Sequence, residues 1–106
     1  MVRVIIEHQV KDTKEVEPVI EIIRELRNEA MKRPGYLTGE TLVNTEDKCN
    51  LLVISSWRSP KDWQEWDTSE VRLKITQPIN QLLAKPYTVR SFEYYLQREN
   101  RVWSTF

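Results

Sequence analysis

Residues 51–66, LLVISSWRSPKDWQEW, join the most strand-like segment of the chain to the start of a helix. The segment 51–54 is apolar on both faces, which predicts a central strand that ends at Trp57. Ser59 and Pro60 come next. A serine cap with proline in the first turn is typical of a helix N-terminus, so a helix is predicted to begin there.

This second helix carries two of the four tryptophans on one face. Three- and four-residue spacing places the following side chains on that face: Trp63, Trp66, Glu70 and Leu73. Pro78 has no backbone N–H to donate, so the pattern predicts an interruption there, followed by a shorter helical piece over 79–83.

The segment 2–10 alternates between apolar and polar residues, which predicts the first strand. The polar face carries Arg3, Glu7 and Gln9. His8 lies on the other face, among Val2, Val4, Ile6 and Val10. That apolar face is expected to lie under the helices, so the chain's single imidazole is expected to point toward them.

Between these regions the pattern predicts a long helix and a second strand. Asp12 is a candidate cap, and apolar residues recur at helical spacing over 16–31. Pro34-Gly35 ends that helix. The strand is predicted over 36–43, with Gly39 marking a bulge or a close backbone approach. A polar hairpin loop around Asp47 follows.

A fourth strand is predicted over 87–96, so the order of elements is β-α-β-β-α-β. This order is typical of an α+β, ferredoxin-like fold in which two helices cover one face of an antiparallel sheet, and residues 1–106 form a single domain. The other face is left uncovered. Its candidate apolar residues are Ile5, Tyr36 or Leu37, and the aromatic residues of the fourth strand. We therefore expect a homodimer. The tail 102–106, VWSTF, is either an arm across that interface or a frayed terminus.

Composition excludes several classes of function. The chain has 16 basic and 16 acidic residues, so no net charge attracts nucleic acid. Two glycines do not suffice for a phosphate-binding loop. One His and one Cys do not build a metal site in a monomer, so no metal is expected. The lone Cys49 fits a reducing cytoplasm. No apolar run approaches the roughly 20 residues needed to span a membrane.

Two motifs carry a family resemblance: residues 34–42, PGYLTGETL, and residues 56–66, SWRSPKDWQEW. Together with the order of elements they make the chain similar to the antibiotic biosynthesis monooxygenase family, whose members are dimeric α+β barrels. The resemblance implies a cofactor-independent monooxygenase that acts on a small aromatic or quinone-like compound.

One branch of that family degrades haem. Its members resemble one another in a pattern of three residues: an Asn on the first strand, a Trp on the second helix and a His further along the chain. Trp66 matches the helix tryptophan, and Trp57 matches the family's tryptophan on the third strand. His8 stands at the Asn position and Thr76 at the position of the iron-ligating His. Haem degradation is therefore not expected, and the prediction includes no cofactor.

The predicted site lies in a cleft between sheet and helices. His8 is the candidate base, Trp66 an indole beside it, and Arg90 on the fourth strand a candidate to hold an anionic oxygen. Trp57, Trp63 and Thr76 are expected to line the substrate pocket. The structural alternatives are that the tryptophans are core residues and that Arg90 pairs with a glutamate across the strands: Glu7, Glu40 or Glu93. In the alternative function, a non-catalytic ligand-binding or dimerisation module, the tryptophans themselves fill the cleft.

Overall fold

Four antiparallel strands form one sheet in the order β2-β3-β1-β4 in the computed structural model, which describes residues 1–95. The strands are β1 (Val2–Gln9), β2 (Tyr36–Asn44), β3 (Asp47–Trp57) and β4 (Thr88–Glu93). The α-helices are α1 (Val16–Ala30), α2 (Pro60–Asp67) and α3 (Glu70–Thr76), and 3-10 turns span Thr13–Glu15 and Gln77–Leu82. The predicted ferredoxin-like α+β order is confirmed.

Two strands, β3 and β4, differ most from the prediction. β3 begins at Asp47 because the hairpin before it is tight. There the Asn44 side chain accepts a hydrogen bond from the backbone of Glu46, and the Asp47 side chain accepts one from the backbone of Cys49. β4 spans only Thr88–Glu93. The predicted end of the fourth strand at residue 96 and the predicted tail arm over 102–106 lie outside the described residues.

The predicted second helix is divided into α2 and α3 at Thr68 and Ser69. Ser69 is a second N-cap: its hydroxyl oxygen accepts a hydrogen bond from the backbone N–H of Arg72 and donates one to the carbonyl of Trp66. Because α3 begins anew at Ser69, its side chains point in other directions than they would on one uninterrupted helix. As a result Arg72 is buried and Leu73 is 58% exposed, so the expectation that Leu73 shares the tryptophan face is wrong.

The interior contains two apolar clusters. One holds Val2, Val4, Ile6, Ala30, Trp57, Trp63 and Trp66. The other holds Val10, Val19, Ile23, Leu51, Ile79 and Leu83. Both lie between the sheet and the helices, because the alternation of β1 sends its buried residues to that side. The cleft described below takes lining residues from both clusters.

Two glycines allow close approaches at the edge of this interior. Gly35 has a φ of +86°, and a Cβ atom there would overlap the Asp62 side chain. Gly39 lies under the hydroxyl of Tyr36, which a Cβ would displace, so the predicted close approach is confirmed at this residue. The bulge in β2 is nearby, where Leu37 and Thr38 together oppose Ser56.

The second face of the sheet carries no helix. Strand register places on it the apolar side chains of Ile5, Leu42, Leu52, Ile54 and Phe92. Tyr36 was one candidate for this face, but it pairs with Trp57 and lies on the helix side instead. Among residues 1–95, no helix has the length and apolar composition needed to cross a membrane.

Candidate functional site

A cleft opens between the helix side of the sheet and the helices α1, α2 and α3. Its interior has a cavity volume of about 60 Å³, which is enough for a few water molecules. Five of the six residues predicted for the site line it: His8, Trp57, Trp63, Trp66 and Thr76. The structure therefore brings these five side chains together in one cleft.

His8 is the buried titratable group of the cleft. It lies opposite Leu51 of β3, is only 4% exposed, and its ring centroid is 5.5 Å from that of Tyr87. The described residues offer no hydrogen-bond partner to its Nδ1 atom. Burial, and secondarily the positive charge of Arg72, lowers the pKa of His8 from 6.5 to about 4. The imidazole is therefore neutral at neutral pH, and its lowered pKa makes it a weaker base than a solvent-exposed histidine.

The depressed pKa of His8 predicts a dependence of stability on pH. Between about pH 6.5 and pH 4 the unfolded chain binds a proton at His8 that the folded chain does not, so the free energy of unfolding falls as pH falls through this window. A shift from 6.5 to about 4 corresponds to a loss of about 3 kcal/mol. Urea denaturation at a series of pH values measures it.

The control for this experiment is His8→Gln, which removes the only histidine. Carboxylates titrate in both proteins, so the informative quantity is the difference between the two pH profiles. An identical pH dependence in wild type and variant would contradict the prediction.

The tryptophans build an aromatic wall. Trp57 is 1% exposed; its indole N–H donates to the Ser55 hydroxyl at 3.0 Å, and its ring meets Tyr36 and Trp63 edge to face with centroids 5.3 and 5.8 Å away. The Arg33 guanidinium lies 5.2 Å from the ring centroid of Trp66. The tryptophans thus pack in the core and also form the wall of the cleft, so the two predictions made for them, core residue and pocket residue, are compatible.

Thr76 lines the cleft, but its hydroxyl is engaged within its own helix. It donates to the carbonyl of Arg72 at 2.9 Å and lies 3.2 Å from that of Leu73. A threonine that bonds back to the preceding turn has used its one O–H donor, so it has no proton left to donate to a ligand. Its contribution to the cleft is therefore one of shape.

Arg90 is the one predicted site residue that the structure does not bring to the cleft. It pairs with Ile5 on the helix-free face of the sheet, is exposed, and its guanidinium lies 5.8 Å from the ring centroid of Phe92. The cause is the register of β4, which alternates faces with each residue and sends Arg90 away from the helices. No ion pair within residues 1–95 joins it to Glu7, Glu40 or Glu93.

Arg72 is the residue that sequence reasoning missed. It is 3% exposed, its Nε atom donates to Asp67 at 3.2 Å, and its guanidinium lies 5.5 Å from the ring centroid of Trp63. The signal was present in residues 68–70, Thr-Ser-Glu, which combine a capping serine with an acidic first turn. A helix restart there would have moved Arg72 onto the buried face.

Arg27 and Tyr36 occupy another part of the lining. Arg27 donates to the Thr41 hydroxyl, and its positive charge lies close to the phenol of Tyr36. Burial raises the pKa of Tyr36 above its usual 10, although Arg27 opposes this shift. The phenol therefore stays protonated at neutral pH. Within residues 1–95 no three His, Cys, Asp or Glu side chains lie close enough together to hold a metal ion.

Solved structures similar to this chain share its fold. An antibiotic biosynthesis monooxygenase is 19% identical at a TM-score of 0.79, with 91% of this chain and 100% of that chain covered. A conserved protein from Methanosarcina mazei is 17% identical at a TM-score of 0.80, with 87% and 90% covered. SnoaB from Streptomyces nogalater, described as a cofactor-independent oxygenase, is 10% identical in a variant form at a TM-score of 0.79, with 92% and 95% covered.

Curated protein sequences give no match to this chain. The family model for antibiotic biosynthesis monooxygenase matches residues 1–77, which include β1, α1, β2, β3, α2, α3 and most of the cleft. That match spans well over half of the 106 residues. The chain therefore belongs to the antibiotic biosynthesis monooxygenase family.

Proposed function

We propose that the protein is a cofactor-independent monooxygenase that oxidises a small phenolic or quinone-like aromatic compound in the cleft. The observation that carries the proposal is His8: a neutral imidazole, almost fully buried in an aromatic-walled cleft, whose Nδ1 atom has no hydrogen-bond partner among residues 1–95. Membership of a monooxygenase family and the similar fold of SnoaB, a cofactor-independent oxygenase, support the same reaction class.

The reaction needs a base more than it needs an added redox group. His8 takes the proton of a ring hydroxyl, and the resulting phenolate is electron-rich enough to react with dioxygen at a ring carbon bearing hydrogen. That carbon loses its hydrogen as the O–O bond of the peroxide breaks. One oxygen atom remains as the new quinone carbonyl, and the other leaves as water with the two protons. A phenol and O₂ thus give a quinone and H₂O, and the substrate supplies all the electrons.

The walls of the cleft suit this chemistry. Trp57, Trp63 and Trp66 are buried, and their indole rings give a flat ligand apolar faces to lie against. Exclusion of water lowers the local dielectric and protects a peroxide from hydrolysis or loss of its proton to solvent. Tyr36, which lines the same cleft, adds a phenol group to this wall.

The alternative is a non-catalytic module that binds a small ligand in the same cleft. The narrowness of the cleft favours it, because Trp57 and Trp66 fill much of the space between sheet and helices. This alternative predicts binding of aromatic compounds without oxygen uptake, so it separates cleanly from the oxygenase proposal.

A second copy of the chain is proposed to cover the helix-free face of the sheet. Ile5, Leu52 and Ile54 form an apolar stripe across its central strands, and Leu42 and Phe92 on the outer strands are about half exposed. An uncovered apolar sheet face of this kind favours self-association. Light scattering should give about twice the chain mass of 12.7 kDa; the mass of one chain would contradict this.

The test of function is an oxygen electrode with purified protein and a panel of hydroxynaphthalenes and anthrones, without added flavin, haem or metal. We expect oxygen uptake together with a quinone absorbance band at one O₂ per quinone. Labelled dioxygen should place one ¹⁸O atom in the product. Binding of the panel without oxygen uptake would establish the alternative and refute the oxygenase.

A further inference from the structure

A second cavity, which we call the outer groove, lies beside the cleft along α3 and the 3-10 turn that follows it. Its own lining residues are Glu70, Leu73, Lys74, Gln77 and Asn80. It shares two further lining residues, Thr76 and Tyr87, with the cleft. The two cavities therefore meet at these shared side chains, and a substituent that leaves the cleft at this point enters the outer groove.

The two cavities differ in volume by a factor of about ten. The cleft has about 60 Å³, whereas the outer groove has about 630 Å³. Sites for small molecules usually have roughly 300 to 1,000 Å³, so only the outer groove has the volume of such a site. A ligand whose ring enters the cleft therefore places its remaining atoms outside the cleft.

Tyr87 connects this junction to the proposed base. It is half-buried and lies in the irregular segment 83–87, between the 3-10 turn and β4. Its ring centroid is 5.5 Å from that of His8. Because Tyr87 also lines the outer groove, a single aromatic ring separates the imidazole of His8 from that groove.

The outer groove offers both donors and acceptors of hydrogen bonds and has no net charge. Gln77 and Asn80 carry carboxamides, and Glu70 and Lys74 carry opposite charges about one helical turn apart on α3. Among residues 1–95 no ion pair joins Glu70 to Lys74. Leu73, which is 58% exposed, adds an apolar surface. Hydroxyl groups both donate and accept, so a neutral hydroxylated substituent matches this lining better than a cation or an anion does.

We propose that the outer groove is a second binding subsite, which holds a neutral hydroxylated substituent of an aromatic ligand whose ring lies in the cleft. The inference rests on the proposed function only in that the cleft binds an aromatic ring, and it does not require that ring to be oxidised. It narrows the substrate class from small aromatic compounds to aromatic compounds that carry a hydroxylated arm, such as a sugar.

Two phenols that differ only in this arm test the subsite. Arbutin is 4-hydroxyphenyl β-D-glucopyranoside, and 4-methoxyphenol keeps the ring, the hydroxyl and the ether oxygen but has a methyl group in place of the sugar. Isothermal titration calorimetry with the full chain should show about tenfold tighter binding of arbutin, because a few net hydrogen bonds from the sugar suffice for this factor. Binding of arbutin no tighter than that of 4-methoxyphenol, or no measurable binding of arbutin, would overturn the proposal.

The double variant Gln77→Ala with Asn80→Ala removes both carboxamides from the outer groove. Both side chains are exposed, so the variant should fold as the wild type does. We expect it to bind arbutin about fivefold more weakly and 4-methoxyphenol with unchanged affinity. The matched control is Gln81→Ala, because Gln81 is an exposed carboxamide on the same 3-10 turn but does not line the groove. Unchanged affinity for arbutin in the double variant, folded by circular dichroism, would also overturn the subsite.

The two proposals fail separately. If arbutin binds more tightly than 4-methoxyphenol but no phenol in the panel consumes oxygen, the subsite is supported and only the oxygenase is refuted. If oxygen is consumed while arbutin has no advantage over 4-methoxyphenol, the oxygenase is supported and the subsite is refuted.

Discussion

His8→Ala is expected to lower kcat for oxidation of the preferred phenol by a factor of about 10² to 10⁴, the usual contribution of a positioned general base. The reason is that His8 is the chain's only histidine, and no carboxylate within the described residues lines the cleft to replace it. The initial rate of oxygen uptake at saturating substrate measures the effect.

His8→Gln is the companion variant, since it keeps a polar side chain but provides no base, and it should lose activity to a similar extent. Circular dichroism shows whether each variant is folded. In the wild-type protein, kcat/KM should fall only as pH drops toward the His8 pKa of about 4, because protonation removes the base. Unchanged turnover in either folded variant would remove His8 from the mechanism.

Trp57→Ala is expected to lower the free energy of unfolding by about 3 to 5 kcal/mol, the range for large aromatic residues cut back to Ala in a core. Trp57 is 1% exposed and is the largest of the fully buried side chains within residues 1–95. Its ring contacts Tyr36 and Trp63, so both lose packing when it is removed. The total free energy of unfolding of such domains is about 5 to 15 kcal/mol, so this loss is a large share of it.

Urea denaturation followed by circular dichroism gives the change in free energy, and a melting temperature lower by about 12 °C or more is expected with it. The control is Trp57→Phe, which keeps an aromatic ring but loses the N–H that donates to Ser55. It should be destabilised by clearly less than the alanine variant. Equal destabilisation would mean that the Ser55 hydrogen bond, rather than packing, is the main contribution.

Much of the fold could be predicted from the sequence because its signals are local. The alternation over 2–10 and the apolar run over 51–54 identify strands, and Ser59-Pro60 identifies a helix start, all within a few residues. The same alternation placed His8 under the helices, since side chains of a strand switch faces at each residue. Short-range rules of this kind also placed Trp63 and Trp66 on one face of the second helix, whereas the family resemblance indicated Trp57.

Whether Arg72 and Arg90 face the cleft depends on features that span more of the chain. Arg90 faces away because the pairing of β4 with β1 fixes which of its residues point to the helices, and residues 87–96 alternate too weakly to show this. Arg72 faces the cleft because the helix restarts at Ser69. On an uninterrupted helix Leu73, seven residues after Trp66, would share its face, whereas Arg72 would lie about 120° away.

The aromatic wall also makes the protein its own optical reporter. Three of the four tryptophans line the cleft, and the fourth is Trp103 near the C-terminus. Intrinsic fluorescence therefore comes mainly from rings that a ligand in the cleft would touch. Quinones absorb near the emission of indole and quench it. Formation of a quinone in the cleft should therefore lower the tryptophan fluorescence before product is released. Binding and turnover can thus be followed in the native chain without a label.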